Sequence, residues 1–170
     1  QAIVFQAFPG PGLHAPDYLG SELMDELFSG MSSQLFERVR EQKSLAYFVR
    51  SSRIVGLESA MFYFFAGTSP QRYGEVLTEL EAEVARVQAG QVASDELTRC
   101  QTRLKAGKRM GLQTNSARAM QAALNAIYRL PVNDWRDYDA RIDAITLADL
   151  QTFARRYFQR PSRVQLVVKP

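Results

Sequence analysis

The sequence predicts an α+β fold, a two-layer domain in which helices cover one mixed, mostly antiparallel sheet. Three observations carry this. β-rich runs stand at both ends of the chain and as a close pair in its first half, at residues 2–8, 45–55, 60–67 and 163–168. Between the pair and the last run, apolar residues recur at helical spacing. No sharp linker, internal repeat or low-complexity segment divides the chain, so one domain over residues 1–170 is expected.

The first run alternates weakly and ends at Pro9-Gly10-Pro11-Gly12, where proline lacks a donor and glycine permits a turn. Asp17 is placed to cap a helix over 18–29, with Leu19, Leu23, Leu27 and Phe28 on one face and Gly30 as its stop. Ser32 or Ser33 starts a short second helix bearing Leu35, Phe36 and Val39. The paired runs have a short link and read as a hairpin. Met61-Phe62-Tyr63-Phe64-Phe65 is apolar on both faces, which fits a central strand covered on both sides or an interface strand.

Ser69-Pro70 then starts a helix that keeps its period to Gly90. Ser94 is placed to cap another over 95–113, with Leu97, Cys100, Leu104 and Leu112 inward and Arg99, Arg103, Lys105, Lys108 and Arg109 largely outward. Helices are expected over 116–129, with Met120, Ala123, Leu124 and Ile127, and over 134–144, with Trp135, Tyr138 and Ile142. Thr146 to Asp149 resembles a capping box and opens a helix carrying Leu150, Phe153 and Tyr157. Arg163 to Val168 is the closing strand.

Composition excludes several classes. No apolar run approaches the roughly 18 residues of a spanning helix, so no membrane partner is expected. The chain has neither a starting Met nor a signal-peptide pattern, and is expected to be a piece of something longer. Its net charge of +3 is too mild to point to nucleic acid. The basic helix has no interleaved aromatic residues. It reads as a solvated face, with a phosphate-tracking surface or a wall facing a partner domain as alternatives. The lone Cys100, among apolar helix positions, reads as a buried inert thiol.

Motifs of independent catalysis are missing. The one histidine, His14, lies in the loop after the Pro-Gly turn and reads as a surface residue. A catalytic zinc normally takes three protein ligands, and neither His-x-x-Glu-His nor its reverse-order relatives occur. There is no Gly-x-Ser-x-Gly elbow, phosphate loop or dinucleotide fingerprint. Glu22, Asp25 and Glu26 read as the solvated side of an amphipathic helix.

The informative stretch is Ser29 to Val49. Taken alone, Arg40 is a cation near a helix end and Tyr47 a half-buried strand aromatic. The pieces Gly30-Met31-Ser32-Ser33, Leu35-Phe36, Arg40-Glu41 and Leu45-Ala46-Tyr47 together tell more. In residue type, order and spacing over about twenty positions, the stretch resembles the second, non-metal half of the pitrilysin family of zinc peptidases. Ala7-Phe8-Pro9, Asp17-Tyr18 and the Thr146 helix before the last strand extend the resemblance loosely along the chain. Gln34 stands where that family commonly has Arg, and Ser44 where it commonly has Gly.

The resemblance implies one half of a clamshell around a peptide-binding chamber. Zinc would be held by a separate N-terminal half or a paired subunit, and this chain would supply no metal ligand and no cofactor. Arg40 would anchor substrate backbone and Tyr47 would assist the oxyanion. The chain alone would be inactive, and its partner-facing surface would favour a homodimer. The resemblance fits bacterial periplasm or cytoplasm without choosing between them. Two other readings remain at this level, a structural or chaperone-like subunit that kept the fold and lost the chemistry, and a nucleic-acid-binding domain using the basic helix.

Overall fold

The computed structural model describes residues 1–170. Strands β1 (Ala2–Pro11), β2 (Ala46–Val55), β3 (Ser59–Thr68) and β4 (Val164–Val168) form one sheet in the order β2-β3-β1-β4. Every pairing is antiparallel. The expected mixed, mostly antiparallel sheet is thus antiparallel throughout, because β3 separates the like-directed β1 and β2, and β1 separates the like-directed β3 and β4.

Helices α1 (Tyr18–Phe28), α2 (Gln34–Phe36), α3 (Tyr73–Gln88), α4 (Ser94–Gly111), α5 (Asn115–Ile127), α6 (Tyr138–Asp143) and α7 (Leu147–Tyr157) complete the fold, with a π-helical turn over Glu37–Gln42. Side chains alternate across a strand. Val4 and Phe8 of β1, Val49 of β2 and Phe62, Phe64 and Ala66 of β3 are therefore buried against the helices. From α1 come Leu19, Leu23, Met24, Leu27 and Phe28, and from α3 Val76, Leu80, Val84 and Val87. The opposite face of the sheet is left open, so the apolar run of β3 is covered on one side only.

The two layers meet at Phe158, 2% exposed, which the helical period of α7 does not reveal. The chain leaves the helix there at ψ 51°. Its ring then lies 5.1 Å from Phe8, 4.9 Å from Phe62, 6.0 Å from Phe28 and 5.8 Å from Phe153, in tilted or edge contacts that aromatic quadrupoles favour.

Several local expectations change. Asp17 stands at the start of α1 without capping it; its carboxylate turns to Arg156 at 3.2 Å. Pro70 lies in a turn, and α3 begins only at Tyr73. Ala93, not Ser94, precedes α4, and the Glu96 carboxylate accepts its N–H at 3.1 Å. The span 134–144 splits into a 3₁₀ turn at Asp134–Arg136 and α6, whose Tyr138 hydroxyl donates to Glu22 at 2.6 Å. On α5, Met120 and Ile127 are exposed, because that helix lies away from the sheet. Thr146 and Asp149 do form the expected capping box, and Gly30 stops α1 with a φ of 87°, in the left-handed region glycine tolerates.

Truncating Phe158 leaves a void where sheet and helices meet. Phe158→Ala is expected to destabilise the fold by about 3–5 kcal/mol, read from urea unfolding followed by far-ultraviolet circular dichroism.

Candidate active site

Two irregularities expose Arg40 and Tyr47. The first is the π-helical turn, which sequence periodicity does not reveal; such turns recur at functional sites. Val39 on this turn is fully buried, whereas Arg40 points to solvent. The second is a β-bulge. Ala46 pairs with Thr68 and Phe48 with Gly67, so Tyr47 has no partner on β3. A bulge re-aims a side chain, and Tyr47 is 68% exposed between the buried Ala46 and the partly buried Phe48. Between the irregularities Ser44 has a φ of 48°, in the left-handed region. This is the position at which glycine would be at ease.

The segment is held from α3. Arg38 donates through Nη2 to Glu79 Oε2 at 2.6 Å and through Nη1 to Glu83 Oε2 at 3.1 Å. Lys43 Nζ donates to Glu79 Oε1 at 2.5 Å. Arg72, beside the start of α3, donates to the Ser44 carbonyl at 3.1 Å and pairs with Glu75. Glu83 is fully buried and also takes Arg86, which reaches Glu96 at 2.9 Å. Burial alone would raise the Glu79 pKa; the hydrogen bonds from Lys43 and Arg38, with their charges, outweigh it and lower the carboxyl below its ordinary value of 4.5.

Arg40 stands apart from its neighbours. Its only carboxylate is Glu41, at 4.0 Å, and its guanidinium lies over the Phe36 ring at 5.0 Å from the centroid. Arg40, Tyr47, Ser44, Leu45 and Arg72 line one open cavity of about 380 Å³. The structure thus brings the two sequence-derived candidates to a common surface, and adds Arg72, which lies outside the stretch that suggested them.

Other candidates resolve differently. Glu22, Asp25 and Glu26 are not a solvated face. Arg53 lies 3.7 Å from both Glu22 and Asp25, and Arg103 lies 2.8 Å from Glu26. Burial raises the Glu26 pKa despite the charge of Arg103. Guanidinium groups pack where a cation would have to sit, so this cluster does not fit zinc, and no three His, Cys, Asp or Glu side chains assemble into a metal-holding group. The basic helix is not a bare solvated face either. Arg103 takes Glu26, Lys105 takes Asp143 at 2.5 Å, Arg109 takes Asp139, and Lys108 lies over the Tyr138 ring. These acids on α1 and α6 are far away in sequence, which is why helical periodicity could not show them. His14 is exposed in its loop. Cys100 is buried, and burial with nearby Glu26 pushes its thiol up to about 11. A separate cleft of about 470 Å³ lies between α1 and α7, lined by Asp17, Leu19, Phe153 and Arg156, and neither Arg40 nor Tyr47 lines it. No helix is long and apolar enough to cross a membrane.

Comparison with known proteins gives a consistent result. A family model described as the peptidase M16 inactive domain matches residues 1–104. The chain is 30% identical over 156 residues to an uncharacterized zinc protease of Streptomyces coelicolor, a match covering 89% of this chain and 34% of the relative. It spans about a third or less of the curated relatives it matches. A protease from Helicobacter pylori superposes with a TM-score of 0.90 at 22% identity, covering 99% of this chain and 41% of that one. A peptidase M16 inactive domain from Pseudomonas fluorescens superposes with a TM-score of 0.87 at 19% identity, covering 99% and 40% respectively.

Two stability predictions arise, one from Ser44 and one from the paired carboxylates. Ser44→Gly removes left-handed strain of about 1–2 kcal/mol and returns part of it as unfolded-chain entropy; a net gain of about 0.5–1 kcal/mol is expected, read as a Tm rise of roughly 1–4 °C. Acid should weaken the fold. The folded-state pKa values of Glu79 and Asp149 are lowered, Asp149 by hydrogen bonds from Thr146. Their contribution is full above the ordinary carboxylate range near 4–4.5 and disappears as pH falls through the lowered values. Urea titrations across this range should show the loss, and Glu79→Gln should shrink it.

Proposed function

Since the chain belongs to the peptidase M16 inactive-domain family, we propose that it forms the non-metal wall of a zinc peptidase's peptide-binding chamber and contributes Arg40 and Tyr47 to the active site. The observation that carries this reading is selective freedom. Arg38 and Lys43 are consumed by buried carboxylates, while Arg40 and Tyr47 between and beyond them are left exposed on a common cavity.

Zinc, held by a separate half or a paired subunit, would supply Lewis-acid polarisation of the scissile carbonyl. The Tyr47 phenol donates toward the oxygen on which negative charge develops. A donor held in place for that oxygen lowers the transition state more than the ground state. Arg40, with its planar fork of donors, takes substrate backbone carbonyls. Its position over the Phe36 ring limits the conformations it must give up on binding. The anchors on Glu79, Glu83 and Arg72 hold the intervening backbone, so that both groups need little reorganisation when substrate arrives.

The test uses the chain together with its zinc-bearing half. Tyr47→Phe is expected to lower kcat by about 10²–10³-fold, the effect of removing one oxyanion donor. Arg40→Lys is expected to raise KM. Both side chains are exposed, so circular dichroism and Tm should not change. Unchanged turnover in Tyr47→Phe would remove the phenol from catalysis and favour a structural subunit of the same fold.

A further inference from the structure

The open face of the sheet carries a pattern that the two candidate residues leave unexplained. By register, Arg50, Phe65, Phe5 and Leu166 form one row across all four strands. Phe48, Gly67, Ile3 and Val168 form the row on one side, and Ser52, Tyr63, Ala7 and Val164 the row on the other. The rings form a continuous patch: Phe5 stacks on Tyr63 at 4.7 Å, and Phe65 lies 5.8 Å from both Tyr63 and Phe48. A Cβ on Gly67 would meet the Phe48 ring at 2.5 Å, so glycine at this point lets that ring lie across the strand. Leu166 and Val168 are each 56% exposed. An apolar surface of this extent is characteristic of an interaction site.

Its charge is one-sided. None of the residues in the three rows is Asp or Glu. Arg50 lies with its guanidinium 4.5 Å from the Phe65 centroid and forms no ion pair or side-chain hydrogen bond, whereas the guanidinium on the other face of β2, Arg53, reaches two carboxylates. A guanidinium held over a ring and paired with no carboxylate keeps donors free for one. Beside Arg50 a cavity of about 650 Å³ is lined by Met31, Phe36, Phe48 and Phe65. Phe36 is also the ring beneath Arg40, so this cavity adjoins the candidate active site.

We propose that this surface selects extended polypeptide segments in which an acidic residue stands beside a bulky apolar one, with Arg50 taking the carboxylate and the Met31, Phe36, Phe48 and Phe65 cavity taking the apolar side chain. This names the substrate class of the proposed peptidase, and rests on that reading for its place in catalysis. A second copy of this chain suits the surface poorly. A two-fold contact uses the same patch on both sides and would set Arg50 against another acid-free face. A polypeptide can supply both the carboxylate and the apolar side chain.

The experiment measures anisotropy of fluorescent extended peptides on the chain assembled with its zinc-bearing half, with chelator present to prevent cleavage. The peptides differ only at one position, Glu, Gln or Lys, beside Phe. The Glu peptide is expected to bind about tenfold tighter than the Gln peptide, the scale of one charge-assisted hydrogen bond partly open to water, and tighter still than the Lys peptide. Arg50→Gln should abolish the preference and keep the affinity for the Gln peptide; Arg50→Glu should favour Lys. Equal affinities in the native protein, or a Glu preference that survives Arg50→Gln, would overturn the proposal. So would sedimentation showing that Arg50→Glu changes the state of assembly while peptide affinity stays the same. If Tyr47→Phe leaves turnover intact but the Arg50-dependent preference holds, the catalytic reading fails and this one stands.

Discussion

The contact between sheet and helices at Phe158 organises the molecule. A four-stranded antiparallel sheet with helices on one face can bury only every second strand residue. The energy of joining the layers is therefore concentrated in a few large side chains, and Phe8, Phe28, Phe62, Phe64, Phe153 and Phe158 supply most of the aromatic contact. Each fully buried aromatic side chain contributes on the order of 1.5–3 kcal/mol of apolar transfer. That frame fixes α1, α3 and α7 against β1 and β3, and the candidate site is built along its edge.

The same one-sided covering accounts for the division of labour within β2. Its inward side supplies Val49, Ser51 and Arg53, which pack on or hydrogen-bond to α1 and its end. Its outward side supplies Phe48 and Arg50, which meet other residues of the open face. Tyr47 belongs to neither side, because the bulge takes it out of the ladder. A buried polar network along α3 then holds the preceding turn. Glu79 and Glu83 lie under Arg38, Lys43 and Arg86 with several hydrogen bonds each, the condition under which buried carboxylates are tolerable.

Charged residues were the part of the molecule least legible beforehand. Glu22, Asp25 and Glu26 fall on the polar side of α1, and the basic residues of α4 on the polar side of theirs, so helical period alone places both in solvent. The fold instead sets these sides toward each other and toward α6, and Arg103 with Glu26 and Lys105 with Asp143 join positions distant in the chain. Apolar positions were more legible, because a core stripe follows from local period. Phe158 escaped it because the ring turns inward after the helix has ended, and Met120 and Ile127 misled because an apolar stripe does not say whether anything covers it.

The sequence by itself determined the α+β order of elements, the strands and most helices, and the stretch from Ser29 to Val49 in which Arg40 and Tyr47 stand seven residues apart. Those features depend on local spacing, turn chemistry and a resemblance carried by contiguous residues. Only the tertiary structure decided that β3 separates the parallel-running strands, that a π-helical turn and a bulge aim Arg40 and Tyr47 outward, and that Arg50 faces an aromatic surface with no acid beside it. Strand register, burial and ion pairing depend on which distant residues meet, and no spacing along the chain encodes that.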